Sequence, residues 1–591
     1  MITMVLAEKP DQAREYAKAL GNSENHHGTL VIKESPYLDG EIHIVAARGH
    51  LLEYDYPKID WKMENLPITN VDLKLRLKKG DADISRRFNA IKNEAKKADE
   101  IIIGTDADRE GERIAYTILS KVPGSLNKAK KRLWINSLTT EGIRKSFGEL
   151  KEAYETKNFY HEAEARSQSD WFVGFNLSPL VTLDLQSQHR LDRKKGNAMS
   201  VGRVQTPTVG LICANDQAIK DFQSQPYWKL ELFDNDHEIK FVNETKYFDR
   251  DEAQAVLDRQ TNEAQVVTVA TKLVEKNPPK LFDLTSLQAF CSKKWKQDSA
   301  TTLKIVQGLY EKKYLTYPRT DLPYITHYEF EYLKKHVQDY QNVLGITIDV
   351  VHPEPRKEYV NDKKVKEHFA IVPTEVIPDL VKDLSSVERR VYEAVTKRTL
   401  LMFEGNYTYN STVVTVVDNQ VEYTTNGIEV VELGFKKFEL TEDKMDQALP
   451  KYVENQILNV NTSIKEDKTK APKRLTESVL MGKVFPKYGL GTPATRASII
   501  ENIQRRGYVT KNKKTDELFP TDRAFLLVEY LADNEFVNPE TTASWEYFLS
   551  KIGTGELSQE VFIDAIKEKI EKFVNEAKLK NKTLKTERTG E

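Results

Sequence analysis

The sequence predicts an α/β protein joined to mixed α and β domains, and three observations carry that reading. Its 591 residues exceed the roughly 250–300 at which a single hydrophobic core stops growing, so the chain divides into several domains. The first 150 residues alternate short apolar runs with helical patterns, the rhythm of βα units on a mostly parallel sheet. Two strand-rich stretches flank a mainly helical insert, which predicts one β domain assembled from discontinuous chain.

Taken in order, "TMVLAE" followed by "KPDQAREYAKAL", and "DEIIIGT" followed by "DREGERIAYTILSKV", are strand-then-helix units within residues 1–150. Residues 151–214 and 475–578 are helical. Residues 215–280 and 406–474 are strand-rich, as in "YWKLELF" and "STVVTVVDNQVEYTTNGIEVVEL", with hairpin signals at Asp418-Asn419 and Asn426-Gly427. The insert, 281–405, is helical. Residues 579–591 lack apolar periodicity and read as a frayed polar tail.

Composition removes several function classes. The two cysteines, Cys213 and Cys291, lie outside any CxxC spacing, which excludes a zinc ribbon and a disulfide framework and points to a reducing compartment. Glu8 and Lys9 interrupt the amino-terminal apolar run too early for a secretory segment, and no later run reaches the ~18 apolar residues of a spanning helix. A soluble cytoplasmic protein is expected. Lys plus Arg total 88 against 90 Asp plus Glu, a net charge of -2, so any nucleic-acid footprint is local rather than global. "HRLDRKKGNAMSVGRVQTPT", residues 189–208, holds five Arg or Lys and one Asp; a solvated loop explains it equally well.

The stretch "IIIGTDADREGERIAYTIL", residues 101–119, sets Asp106, Asp108, Glu110 and Glu112 at the end of an apolar strand. Asp106 and Asp108 share one side of an extended segment, and Glu110 can turn back toward them. Clustered carboxylates repel unless a cation neutralises them, and hard oxygen ligands suit Mg²⁺. Glu8 ends the neighbouring strand and can supply a fourth. An EF-hand is a weak reading, because its fifth and twelfth positions hold Glu110 and Thr117 after a strand rather than a helix. An aspartyl phosphatase of the DxDx[TV] type departs at its last position, Glu110, and is a weaker reading than the Mg²⁺ site. A solvated helix N-terminus explains Glu110 and Glu112 well but Asp106 and Asp108 poorly.

A second chemical centre lies at "YEKKYLTYPRTDLPYIT", residues 310–326. A helix capped at Asp298 or Ser299 delivers Tyr317 just past its end, Pro318 biases Tyr317 toward extended backbone, and Arg319 follows. A phenol with a pKa near 10 attacks phosphorus only with positive charge nearby, which Arg319 can supply in a phosphate-matched fork. Tyr56-Pro57-Lys58 shows how common this pattern is among 26 tyrosines.

The motifs "AEKP" (7–10), "GTDADREGE" (104–112), "SVGRVQTPT" (200–208), "LTYPRTD" (315–321), "HFAIVPT" (368–374) and "GLGTPATRASIIENIQRRGYV" (489–509) together resemble type IA DNA topoisomerases, most closely bacterial topoisomerase III, over about residues 1–575. The resemblance implies an N-terminal TOPRIM α/β domain in a multidomain toroid. It implies a Mg²⁺ site at Glu8, Asp106, Asp108 and Glu110, and a nucleophile, Tyr317, that forms a 5′-phosphotyrosine link. Arg319 then contacts the scissile phosphate, Lys9 assists the leaving oxygen, and His368 stands at the family's histidine position.

"EARSQSDWFVGFN" (164–176) resembles part of the family's single-strand groove, which 151–214 and 475–578 would form. Arg166, Asp170, Ser200, Arg203 and Gln205 are its candidate DNA contacts. In "GTPATRAS", Thr492 reads as an N-cap, so the helix N-terminus, Thr495 and Arg496 are placed for a phosphate. The implied activity is ATP-independent relaxation of negative supercoils and unlinking of DNA. The implied partners are a single-stranded segment at the cleavage site and a strand or duplex in the central hole, with no membrane and no zinc. A monomer is implied, with a helicase or single-strand-binding protein as a compatible associate on bacterial nucleoid or plasmid DNA. Two rivals remain: a TOPRIM nuclease or primase, which would not use Tyr317, and a non-catalytic single-strand-binding scaffold.

Overall fold

In a computed structural model of the chain, which describes residues 1–55, 58–194, 196–365, 368–439, 448–532 and 534–589, strand β1 (Ile2–Ala7) runs through the middle of a seven-stranded sheet. Thr3 through Ala7 are buried, as a strand covered on both faces requires. Helix α1 (Pro10–Leu20) follows, with Pro10 at its first position, where a missing N–H costs nothing. The sheet adds β2 (Glu24–His26), β3 (Thr29–Ile32), β4 (Glu41–Ala46) and β5 (Glu100–Gly104). After helix α2 (Arg109–Ser120) come β6 (Ala129–Arg132) and β7 (Lys151–Glu152).

The strand order is β2-β3-β4-β1-β5-β6-β7. β1 pairs in parallel with β4 and β5, and β5 with β6, whereas the outer pairings are antiparallel. The sheet is therefore parallel at its centre and antiparallel at both edges, short of the mostly parallel sheet expected. The physical reason lies in exposure: β2 is short, polar and exposed throughout, a suitable edge strand.

Helix α3 (Ala153–Ser187) and helix α4 (Gln205–Lys220) precede the barrel strands β8 (Pro226–Asp234), β9 (Ile239–Val242) and β10 (Glu263–Lys276). The intervening helices include α5 (Leu284–Trp295), α6 (Ser299–Glu311) and α7 (Ser386–Leu400). The chain then returns as β11 (Tyr407–Asp418), β12 (Val421–Glu432) and β13 (Ile457–Lys468). These six strands close into a barrel of order β8-β9-β12-β11-β10-β13. Leu230 and Leu232, Val414 and Val416, and Leu458 and Val460 fill its interior at the two-residue period of a strand.

Asn419 and Gln420 both take positive φ, 42° and 68°, so the β11–β12 hairpin turns there, as the Asp418-Asn419 signal predicts. Asn426-Gly427 does not turn. It lies inside β12, paired with Val413 and Thr412, because one hairpin already satisfies the ladder.

The carboxyl-terminal helices α8 (Pro493–Arg505), α9 (Pro539–Gly553) and α10 (Gln559–Thr589) share one core with α3 and α4, built from residues such as Trp171, Phe172, Val209, Ile503, Trp545 and Ile566. α10 continues through Thr589, so the segment read as a polar tail is helical up to that residue.

Candidate active site

β1 and β5 end together: Ala7 and Gly104 are register partners. The next residues, Glu8 and the Thr105-Asp106 turn, therefore emerge side by side at the carboxyl ends of parallel strands, where open α/β sheets hold ligands. The Asp106 N–H donates to Glu8 Oε2 at 3.2 Å. Gln12, one turn into α1, donates Nε2 to Asp106 Oδ1 at 3.0 Å and accepts from the Glu8 N–H at 2.8 Å. Lys9 Nζ lies 3.7 Å from Asp106 Oδ2 and 3.5 Å from Glu311 Oε1. Asp106 Oδ2 is buried without a hydrogen bond.

Asp108 caps α2, its Oδ1 accepting the Gly111 N–H at 2.7 Å. The cap is tight because a Cβ at Gly111 would lie 2.1 Å from the Asp106 carbonyl oxygen; only glycine allows that approach. The second carboxylate oxygen of Asp108 accepts the Tyr317 hydroxyl at 2.8 Å, and Arg319 Nη1 stands 3.6 Å from it. α6, capped by Asp298, ends at Glu311, and Tyr317 enters the same apolar cluster as Val5, Ala7, Tyr16 and Leu133, only 1% exposed. Its N–H donates to the Asn136 carbonyl at 3.0 Å. The Asn136 side chain meets His368 Nδ1 at 2.7 Å, and the His368 ring lies 4.9 Å from that of Tyr317.

The electrostatics follow from burial and charge crowding. Burial, with Asp106 and Asp108 beside it, pushes Glu8 well above the usual carboxylate range. Burial would also raise Asp108, but Arg319, the Gly111 N–H and the Tyr317 hydroxyl outweigh it and hold Asp108 low. Burial and then Asp108 push the Tyr317 phenol well up, so it is protonated at rest. Against the cost of its own burial, Lys9 is raised by Asp106 and Glu8. Burial lowers His368 to about 4, leaving it neutral near pH 7.

The four predicted metal-binding acids lie near enough to feel one another's charge, Asp106 and Asp108 raising Glu8 and Asp108 raising Glu110, but each side chain has a separate resting partner. Asp106 faces Gln12 and Lys9, Asp108 faces Tyr317, and Glu110 turns to His50. Among the described residues no group of three His, Cys, Asp or Glu side chains is arranged to hold a metal. Asp108 serves as the cap of α2, and Glu110, in the first turn of that helix, pairs with His50 at rest. The chemistry of Glu8, Asp106 and Asp108 nevertheless fits a hard cation: all ligands are oxygens, their charges repel, and one Asp106 oxygen is orphaned.

The predicted DNA contacts divide. Arg166 and Arg203 do not present free guanidiniums to the groove. Arg166 Nη1 donates to Glu546 at 3.0 Å, and Arg203 donates to Asp170 at 2.9 Å and Glu546 at 2.6 Å, tying α3 and the start of α4 to α9. Arg496 is buried, donating to the Leu490 carbonyl and the Thr285 hydroxyl, and so braces α5 rather than meeting solvent. Ser200, Gln205, Asp170 and Thr495 line a cleft of about 520 Å³. A second cleft of about 460 Å³ holds Asp108, Arg319 and His368. Arg166 and Thr495 line both.

Sequence reasoning missed Gln12, Asn136, Arg132 and Glu546. Gln12 sits four residues after Glu8, a spacing that was available as a signal. Arg132 is fully buried, paired with Glu112 and donating to the carbonyls of Thr105 at 2.8 Å and Asp106 at 2.6 Å; nothing local in "KKRLW" marks it. Asn136 and Glu546 act only through contacts from distant chain.

A DNA topoisomerase family profile matches residues 154–564, and a Toprim domain profile matches residues 3–138. DNA topoisomerase 3 of Bacillus cereus is 32% identical over 636 residues, covering 99% of this chain and 83% of that protein. DNA topoisomerase 3 of Bacillus subtilis is 32% identical over 629 residues with the same coverage. Full-length topoisomerase I from Thermotoga maritima superimposes with a TM-score of 0.74 at 23% identity, covering 96% of this chain and 89% of that one, a likeness of fold. Because the profile spans most of the chain and the identity runs nearly end to end, the protein belongs to the type IA DNA topoisomerase family and is topoisomerase III-like, with an N-terminal Toprim domain.

Proposed function

We propose that Tyr317 is the nucleophile with which this topoisomerase cleaves one DNA strand. The phenolic oxygen attacks a phosphodiester, the bond from phosphorus to the 3′ oxygen breaks, and a 5′-phosphotyrosine and a 3′ hydroxyl result. A strand or duplex passes. The 3′ oxygen then attacks the phosphotyrosine and restores both the backbone and the phenol. One ester replaces another in each step, so supercoil strain directs the reaction without ATP.

The observation that carries this reading is the 2.8 Å hydrogen bond from Tyr317 to Asp108, which joins the predicted nucleophile to the Toprim acids. At rest Asp108 accepts the phenolic hydroxyl; on attack the phenolic proton passes to water that enters with the substrate. Arg319 faces the charge that develops on phosphorus. Lys9, held protonated, donates to the leaving 3′ oxygen. His368, anchored by Asn136 and packed on the phenol ring, positions Tyr317. A phosphate has to enter between Tyr317 and Asp108, so the resting hydrogen bond opens on substrate binding.

Glu8, Asp106 and Asp108 would hold Mg²⁺, with Glu110 joining when it leaves His50; bound there, the ion supplies positive charge that positions the phosphate and DNA ends. Single-stranded DNA occupies the paired clefts, contacting Ser200, Gln205, Thr495 and the N-terminus of α8. The enzyme acts as a monomer in the bacterial cytoplasm, on nucleoid or plasmid DNA.

The test is a Mg²⁺-dependent assay on negatively supercoiled plasmid, stopped with denaturant to trap covalent adducts. Wild type relaxes the plasmid and yields an adduct, whereas Tyr317→Phe does neither. Relaxation and adduct both surviving in Tyr317→Phe would overturn the assignment.

A further inference from the structure

Trp61 is the one tryptophan among the six that stands exposed, at 44%. Its neighbours Ile59 and Met63 pack against the large helical core, but Trp61 is not among the side chains that do. An isolated exposed apolar side chain is ordinary. Two further observations set this one apart.

First, Trp61 lines the 520 Å³ cleft, together with Phe175, Ser200 and Gln205. Phe175 is itself stacked on Trp171, with ring centroids 4.5 Å apart. Trp61 comes from the Toprim side of the chain and Phe175 from α3, so two aromatic side chains from separate parts of the fold border one space. Second, the segment that carries Trp61 is pinned. Asn65 Nδ2 donates to the Asp60 carbonyl at 3.0 Å. A few residues on, Asn176 of α3 brackets Ile68, accepting its N–H at 2.5 Å and donating to its carbonyl at 3.0 Å. Leu66 and Ile68 are buried in the helical core. A rigid mount that holds a large apolar ring at the edge of a cleft suits a flat apolar ligand.

Two of the cleft's cations, Arg166 and Arg203, are already matched by Glu546 and Asp170, which leaves Arg506 as the exposed cation on its lining. Proteins that grip single strands without reading sequence combine phosphate contacts with aromatic faces on which bases stack.

We propose that Trp61 is a stacking platform for one unpaired base of the bound strand, a positioning contact that holds the strand in register with Tyr317. The proposal rests on the reading above that single-stranded DNA occupies this cleft.

The experiment measures binding of a fluorescein-labelled oligothymidylate by anisotropy, without Mg²⁺ so that cleavage plays no part, for wild type, Trp61→Ala and Trp61→Phe. Trp61→Ala is expected to weaken binding by about tenfold or more, and Trp61→Phe to recover most of it. The slope of log affinity against log salt is expected to stay unchanged, because no phosphate contact is lost. Oligonucleotides with one abasic site, moved along the strand, should include a position that weakens wild type but not Trp61→Ala. Equal binding by Trp61→Ala and wild type, or abasic effects identical in both proteins, overturns the proposal. So does loss in both variants with a lowered melting temperature, which would make Trp61 a structural residue. Wild type failing to bind at all overturns the single-strand reading, and the proposal with it.

Discussion

Tyr317 donates its hydroxyl to Asp108 across 209 residues of sequence, at 2.8 Å. The proposed nucleophile and one Toprim acid thus share a hydrogen bond in the resting protein. Removing the hydroxyl tests structure and chemistry apart. Tyr317→Phe is expected to keep the packing with Tyr310 and His368 and to lose about 1.5–3 kcal/mol, the worth of a hydrogen bond to a charged group. Circular dichroism should be unchanged while the covalent adduct disappears. An unfolded variant would show that the hydroxyl is structural first.

Arg132 props the acidic turn from beneath. Arg132→Met leaves Glu112 buried without its partner and is expected to cost about 3–5 kcal/mol. Adding Glu112→Leu should recover much of the stability, since a buried pair replaced as a whole is often neutral. It should not restore Mg²⁺ response, because the carbonyls of Thr105 and Asp106 remain unsupported. Denaturant melts with and without Mg²⁺ separate the two effects.

Charge repulsion around Glu8 predicts a metal effect visible without DNA. Mg²⁺ is expected to raise the melting temperature of wild type, as any ligand of the native state does. Asp106→Asn removes one of the charges that push Glu8 up, so the variant should melt higher than wild type in chelator yet gain little from Mg²⁺. A full Mg²⁺ response in that variant would remove Asp106 from the ligand set.

Acid stability should fall in two separate limbs. Burial depresses His368 from 6.5 to about 4, so its contribution is complete above pH 6.5 and lost as pH falls toward 4. Burial alone would raise Glu546, but Arg166, Arg203 and Arg109 hold it at about 2 against an ordinary 4.5. Its contribution is complete above pH 4.5 and lost as pH falls toward 2. Chemical denaturation across pH should show His368→Gln flattening the first limb and Glu546→Gln the second. Imidazole resonances of His368 that titrate near 6.5 would contradict its burial.

Much of the architecture was legible because local patterns and global fold agree. The apolar runs ending at Ala7 and Gly104 announce central strands, Asp298 announces the helix before Tyr317, and the alternation of 411–433 announces barrel strands. Asn426-Gly427 misled because a dipeptide that permits a turn does not require one when its ladder partners are already in register. For Arg166 and Arg203 the charge was readable but the resting partner was not: Glu546, more than 300 residues away, pairs with both.

By itself the sequence determined which residue types are candidates for the chemistry, Glu8, Lys9, Asp106, Asp108, Tyr317 and Arg319, and the local elements that end beside them. Hydrophobic period, capping residues and turn residues act over a few positions and are written into neighbouring letters. Tertiary structure alone decided that Asp108 meets Tyr317, that Glu110 faces His50, and that Arg496 is buried. Those outcomes depend on which distant groups burial brings within hydrogen-bond reach, because desolvation and Coulomb energy act through space rather than along the chain.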